Sequence, residues 1–464
     1  MNNYLEDVRS QYEDYPYPRR EPADENQRLV ATITEALDRI NYYCFEGKQD
    51  FTNNFRILVA GGGTGDAVIF LAEQLRETNA EIVYLDISTV SMAIARERAR
   101  VRGLDNITWM NHSLLDLPSL GLGLFDYVNC SGVLHHLVDP EAGLLALKSA
   151  LKDSGVMMLM VYGTYGRTGV YQMQDIMRLV NQGVSGDQEK VDNCKRVLGS
   201  LPQTNWFVAN TAPFLEDIEQ YGDVGIYDLF LHSQDRAYTI PELYSLVEQA
   251  ELDILQLFPS LEPQGNRLYD PTVYTDDPAI CSAMLKLPLK EQQAVAEMLH
   301  GRINKHTFYV APQTRTRPQV TDLDNIPFLS MSFGEDAYRF FYQLAKTSRD
   351  MIEFHAAPPL NLGIKFQKTA FSEELFKNLD GKRTLRQIFS KVINRSRSKH
   401  IKVTEQQLLD EFSHIYNAFN LYDWMLLRSE EVGPFASVGT LEQRMSKRCA
   451  EQGKETDIPP ASTG

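Results

Sequence analysis

Short apolar runs alternate with stretches of helical periodicity over the first third of the chain. Residues 57–60 are a continuous apolar run of the kind buried in a parallel sheet, and 66–77 follow with Ala67, Val68, Leu71, Ala72 and Leu75 on one helical face. The alternation continues with a strand at 81–86, a helix at 89–102, strands at 107–110 and 125–129, a helix at 140–152 and a strand at 156–161. This spacing predicts a parallel α/β sheet with helices on both faces.

The pattern then breaks. Residues 163–237 read as a mostly helical insertion interrupted by Pro202 and Pro213. A helix at 241–251 and a strand at 252–258 resume the sheet, a second insertion covers 259–304, and a last strand falls at 306–311. The final strands suggest an antiparallel hairpin closing the sheet. Residues 313–327, rich in proline, threonine and charge, predict a linker to a second domain at 328–440. That domain should hold helices near 336–354, 372–379, 384–393 and 404–420, then an apolar strand at 424–427. Residues 1–50 form an arm: an aromatic-proline stretch from Tyr12 to Arg20, then an amphipathic helix over 26–43. Residues 441–464 are polar and predict a disordered tail.

The chemistry gathers where the first strand meets its helix. Gly61, Gly62, Gly63 and Gly65 form a turn that lets backbone approach a ligand, with helix amides pointing at it. The second strand ends on Asp86, where a ribose diol would be gripped. Nucleotide-like cofactor binding follows. A dinucleotide fingerprint wants glycine at its sixth position, which here is Asp66.

Composition narrows the partners. A formal charge of −16 over 464 residues disfavours nucleic acid. The five cysteines are scattered without metal-ligand spacing and suit a reducing compartment. No apolar run is long enough to span a bilayer, and the N-terminus reads as lacking a signal peptide, so a cytoplasmic protein without membrane or metal partner is expected.

Three motifs, Val-Ala-Gly-Gly-Gly-Thr-Gly (59–65), Tyr-Leu-Asp-Ile-Ser (84–88) and Gly-Val-Leu-His-His-Leu-Val-Asp-Pro (132–140), in this order and spacing resemble the class I S-adenosylmethionine-dependent methyltransferases. The similarity covers roughly residues 50–312. More narrowly, the chain looks like a bacterial subgroup with a Tyr-Pro-Tyr-Pro arm and a His-x-x-Asp-Arg-x-Tyr-Thr segment, here 232–239. The resemblance implies a Rossmann-like seven-stranded α/β sheet over 51–312, an arm at 1–50 covering the cofactor, and S-adenosyl-L-methionine as that cofactor. Carried over by position, Gly61, Gly62, Gly63 and Gly65 would line its methionine and ribose. Asp86 would hold both ribose hydroxyls, and Ile87 would pack on adenine. Ser113, Leu114, Cys130 and Tyr17 complete the expected contacts. Two positions depart from the family. Val59 stands where an acid often precedes the first glycine, and Ser113 stands where an acid commonly meets the adenine amine. Asp116, three residues on, reads either as a ligand contact or as a helix cap.

Methyl transfer is a direct displacement, so alignment supplies most of the acceleration, and a base helps where the acceptor must lose a proton. His135 and His136 follow the fourth strand at the sheet's carboxyl edge, where a base would sit. They read equally as packing and capping residues. His232 and Asp235 suit a carboxylate-oriented imidazole with Tyr238 beyond, or a hydrogen-bonded cluster closing the insertion. Tyr12, Tyr15 and Tyr17 suit a lid over a sulfonium, with Arg19 or Arg20 meeting a carboxylate.

The segment 371–427 looks like a winged-helix fold, and its basic run, 391–402, is read as a solvated face. Dimerisation, as a homodimer, or peptide recognition fits that domain better than DNA or RNA binding. The expected reaction is methylation of a protein or peptide side chain. A small-molecule acceptor of natural-product type is the alternative within the enzymes, and a non-catalytic scaffold on the same fold is the alternative outside them.

Overall fold

The computed structural model describes residues 6–210, 214, 218–219, 221–259, 263–356 and 362–444. Its centre is an eight-stranded sheet. β1 (Arg56–Ala60) lies between β2 (Glu81–Asp86) and β4 (Phe125–Ser131), and β3 (Ile107–Asn111) forms the edge beyond β2. On the other side follow β5 (Leu151–Gly163), β8 (Lys305–Ala311) and β7 (Asp253–Phe258), while the short β6 (Ala237–Tyr238) pairs with the end of β5. β8 runs antiparallel between β5 and β7, the closing hairpin expected from the sequence. β1, β2 and β4 are parallel and the order reverses at β1, so a crevice opens beyond their carboxyl ends.

Local chemistry explains the boundaries. α3 (Asp66–Gln74) starts at Gly65, whose φ of 105° a side chain would resist. α4 (Thr89–Arg102) is capped by Ser88, whose hydroxyl accepts the Ser91 N–H, and ends at Gly103 in the left-handed region. β5 is longer than the apolar run 156–161 because Phe125 also pairs with Leu151, with a register shift before Tyr127.

The arm departs from the expected single helix over 26–43. It forms α1 (Glu6–Asp14), two 3-10 turns (Pro22–Asn26 and Ile33–Glu35), and only then α2 (Leu37–Cys44). Gln74 supplies the reason. Its side chain donates to the Glu35 carbonyl and accepts the Leu37 N–H, replacing the helical bonds that a continuous helix would need.

The C-terminal region also differs in detail. The helix placed at 336–354 ends at Thr347, and the residues beyond enter a hairpin, β10 (Met351–His355) with β11 (Gly363–Gln367). β9 (Ile326–Leu329) occupies the end of the expected linker and pairs with β12 (Met425–Arg428). Helices Ser372–Asn378, Leu385–Ser398 and Glu405–Asn420 lie near their predicted places. The tail beyond 444 lies outside the described residues.

This region is not packed apart from the sheet. One apolar cluster runs from Val59 and Tyr309 on one sheet face, through Tyr43 of α2, to Phe341, Phe419 and Trp424. Polar bonds reinforce it: the Arg39 guanidinium meets the Asp423 carboxylate at 3.3 Å, and the Tyr43 hydroxyl donates to Asp423 at 2.6 Å. A second cluster, including Val83, Leu144 and Leu257, fills the other sheet face. No described helix is long and apolar enough to cross a membrane.

Candidate active site

A cavity of about 970 Å³ opens at the carboxyl ends of β1, β2, β4 and β5. Its first wall is the glycine turn. Gly61 and Gly63 have φ of 71° and 52°, and a Cβ on Gly61 would stand 2.3 Å from a Val133 methyl. A Cβ on Gly63 would stand 3.0 Å from the Tyr17 carbonyl, because the arm crosses directly over the turn. Gly61, Gly62 and Gly63 line the cavity, whereas Gly65 turns the chain into α3 beneath it and packs against Ala95.

Asp86 forms the floor. It is 8% exposed, and each carboxylate oxygen accepts one backbone N–H, Oδ2 from Gly63 and Oδ1 from Ser88, both at 2.8 Å. Burial pushes its pKa up to about 6; the two N–H bonds pull it down and Glu13 adds to the rise. A second lone pair on each oxygen remains for a diol. Ile87, Ser113 and Leu114 line the cavity beside it. Ser113 also accepts the Leu115 N–H, and Asp116 returns the bond by accepting the Ser113 N–H, so Asp116 is a capping residue that does not line the cavity. Cys130 is fully buried in the second core cluster, and its neighbours Asn129 and Ser131 line the cavity instead, since alternate residues of β4 face opposite sides. Val59, too, faces core.

The arm closes over this end. Glu13 accepts the N–H groups of Thr89 and Val90 at the start of α4, at 2.9 and 3.0 Å. The Thr64 hydroxyl donates to the Pro18 carbonyl at 2.7 Å. Arg20 holds Asp66 through two bonds of 2.9 and 2.7 Å, and Asp66 also meets Arg98. Arg20 is therefore spent on Asp66, and Arg19 lies exposed beside Glu21. Tyr12 and Tyr17 line the cavity, while Tyr15 stacks on Tyr227 with ring centroids 4.6 Å apart.

The far wall is a histidine cluster. His136 lines the cavity and stacks on His232 with centroids 3.9 Å apart. Both rings are fixed by one residue. His136 Nδ1 lies 2.9 Å from the Gln234 carbonyl and must carry its proton, while the Gln234 N–H donates to His232 Nδ1 at 3.1 Å. His136 thus keeps a lone pair on Nε2, and His232 keeps its proton on Nε2, 3.5 Å from the Tyr12 hydroxyl. Burial holds His136 down to about 4 and keeps His232 well below the ordinary imidazole range, so both are neutral near pH 7. His135 does not face the cavity. It is buried, stacks on Tyr162, and neither ring nitrogen has a hydrogen-bond partner. The following helix is capped by Asp139, not by a histidine.

The expected His232–Asp235 pairing is corrected. Asp235 accepts from Arg167 at 3.2 Å and Gln174 at 3.0 Å, because the buried Arg167 guanidinium requires a carboxylate. The imidazole is oriented by backbone instead. Tyr238 is 1% exposed, sits beneath the Arg236 guanidinium and does not line the cavity. Glu35, Asn129, Asp228 and Thr307, which sequence reasoning missed, do line it. No sequence signal marks Glu35, which reaches the site through the broken arm helix.

The residues fit an adenosyl cofactor. Val133 and Tyr84 stand too close to Gly61 and Gly62 for any side chain there, so bare backbone faces the cavity, and the carboxylate in its floor is buried without a cation. Residues 58–157 match the family described as methyltransferase domain. An uncharacterized protein of Synechococcus sp. is 31% identical over 264 residues, 56% of this chain and 62% of that protein. The tRNA 5-carboxymethoxyuridine methyltransferase of Escherichia coli K12 is 30% identical over 112 residues, 24% of this chain and 41% of that enzyme. The chain thus spans less than two thirds of either relative. Among solved structures, PKMT2 from Rickettsia typhi in complex with AdoHcy superposes with a TM-score of 0.61 at 13% identity, over 87% of this chain and 76% of that one. That likeness shows a shared fold. Residues 58–157 thus carry a methyltransferase domain.

Proposed function

We propose that the protein is an S-adenosylmethionine-dependent methyltransferase acting on a protein or peptide side chain. The observation that carries the reading is a single cavity joining a buried diol-binding carboxylate, Asp86, to a separate polar wall at the ends of β4, β5 and β8. At about 970 Å³ it lies at the upper end of the range for small-molecule sites, room for a cofactor and an inserted side chain together. When bound, the cofactor supplies an electrophilic methyl group on sulfonium. Gly61, Gly62, Gly63, Asp86, Ile87, Ser113 and Leu114 would hold it, and Tyr12 and Tyr17 would exclude water above it. His136 Nε2 would accept a hydrogen bond from the acceptor, and His232 would keep the Tyr12 hydroxyl turned as a donor into the cavity.

The side-chain acceptor is supported by the neighbour PKMT2, whose likeness extends over 87% of this chain and so includes the C-terminal region. The tRNA methyltransferase shares only 112 residues. On this reading the winged-helix-like region at 328–440 and the Tyr-Pro-Tyr-Pro arm serve acceptor recognition and closure, in a cytoplasmic enzyme. The test is transfer of label from radiolabelled S-adenosylmethionine into a fractionated lysate. Label in a protease-sensitive fraction is expected. Tight cofactor binding with no labelled product would favour a scaffold, and label confined to small molecules would favour the natural-product alternative.

A further inference from the structure

The wall of the cavity away from Asp86 is a row across four strands. Ser131 of β4 pairs with Met160 of β5, Met160 with Thr307 of β8, and Thr307 with Phe258 of β7, so the four side chains stand abreast on one sheet face. Asn129 lies one step deeper on the same face, and the 3-10 turn Ile33–Glu35 closes the lobe from the side opposite the sheet.

Glu35 is the anomaly of this lobe. It is 3% exposed, and the groups that hold it are neutral: the Asn129 amide donates at 2.7 Å and the Thr34 hydroxyl at 3.0 Å. Elsewhere, buried carboxylates are neutralised. Glu25 pairs with Arg98 and Arg102, Glu73 with Arg76, and Asp38 and Asp423 with Arg39, while Glu297 lies 3.1 Å from the His306 ring, an ion pair whenever that ring is protonated. Among the described residues, the two buried carboxylates without an ion pair are Asp86 and Glu35, and both line the cavity. Asp86 is satisfied by two backbone N–H groups at the turn. Glu35 accepts from two side chains instead, neither of them charged, and burying a charge without a counter-ion is costly unless something arrives to compensate it. The rest of the lining agrees in sign: with Arg20 and Asp66 paired to each other, Asp139 and Asp228 face it against Lys305.

We propose that Glu35 is the specificity residue for the methyl acceptor, taking a protonated amine beside Asn129 and accepting its proton. One N–H bond of the ammonium breaks, one O–H bond forms on the Glu35 carboxylate, and the nitrogen keeps the electron pair that attacks the methyl group. Burial raises the pKa of Glu35, which favours that transfer. The inference rests on the methyltransferase reading and deepens it.

The test uses the full chain saturated with S-adenosylhomocysteine, so that nothing turns over, and measures peptide affinity by calorimetry. The probes are acetyl-Gly-X-Gly amides with X lysine, ornithine or norleucine, and pentylamine as a free amine. The wild type should bind the cationic peptides about tenfold or more tighter than the norleucine peptide. Glu35→Gln should erase that preference, and Glu35→Asp should restore part of it. Pentylamine binding as tightly as the lysine peptide would support the same role for Glu35 and point to a small amine as acceptor. A preference that survives in Glu35→Gln, or its absence in the wild type, overturns the proposal. So does a loss of about tenfold or more in S-adenosylhomocysteine affinity on Glu35→Gln, which would assign the carboxylate to the cofactor. If S-adenosylhomocysteine fails to bind the wild type, the methyltransferase reading itself falls, and this inference with it.

Discussion

The two ends of the cavity are made differently. At the Asp86 end, strand, turn, helix and the next strand follow one another within 31 residues, and backbone does most of the work: glycine φ angles, and N–H groups from Gly63 and Ser88. At the other end, Tyr12, Glu35, Asn129 with His136, His232 and Thr307 come from five separate segments and meet only through tertiary packing. The first end is fixed by local chain geometry, while the second depends on every element that packs around it. Such a division suits an enzyme whose donor is constant and whose acceptor defines it.

Perturbing each end separately should expose that division. The largest effect is expected at the histidine wall. His232→Ala should lower turnover by about two decades or more if the Tyr12–His232–His136 arrangement aligns the acceptor, with S-adenosylhomocysteine affinity little changed. The reverse pattern, affinity lost and turnover kept, would make His232 structural. Next comes Asp86→Ala, which should weaken cofactor binding by about 1–3 kcal/mol through loss of both ribose bonds, read by calorimetry. Unchanged affinity would remove Asp86 from the site.

A pH titration of cofactor binding comes third. Asp86 must be ionised to accept two hydroxyl protons, and it titrates at about 6, so affinity should fall about tenfold between pH 7 and pH 5 and level off above 7. Its folded pKa lies above the ordinary 3.8, so its burial favours the folded state below about pH 4, an advantage lost as pH rises through about 6. Asp86→Ala should therefore flatten that part of the pH dependence of the melting temperature of the ligand-free protein, and an unchanged profile would contradict the burial argument. The smallest effect is expected for Gly63→Ala. Its φ of 52° costs a side chain about 1–2 kcal/mol, and the new methyl would press on the Tyr17 carbonyl. Faster proteolysis of the arm, with Asp86 still binding, would locate the damage in the lid.

The sequence made the Asp86 end legible because its signals are contiguous: an apolar run, a glycine turn, and an acid at the next strand's tip. The positions of the seven main strands along the chain and the antiparallel closure were legible for the same reason. Glu35 was not, because a residue read as part of a helix lies in a 3-10 turn that Gln74, 39 positions away, holds open. Asp235 reads as the orienting acid for His232 because the two are three apart, yet Arg167 claims it across 68 positions. β10 was absorbed into a helix at 336–354 because its alternation, Ile352 and Phe354 inward against Glu353 and His355, spans only five residues directly after a helical pattern.

The apolar cluster that crosses from the sheet to the C-terminal region also governs how the molecule comes apart. α2 shares that cluster, and its Arg39 is 4% exposed with Asp423 as the carboxylate across the boundary. A chain stopped after β8 would leave that guanidinium without Asp423 and bare the aromatic face around Tyr42 and Tyr43. Heat or denaturant should accordingly melt sheet and C-terminal region in a single transition.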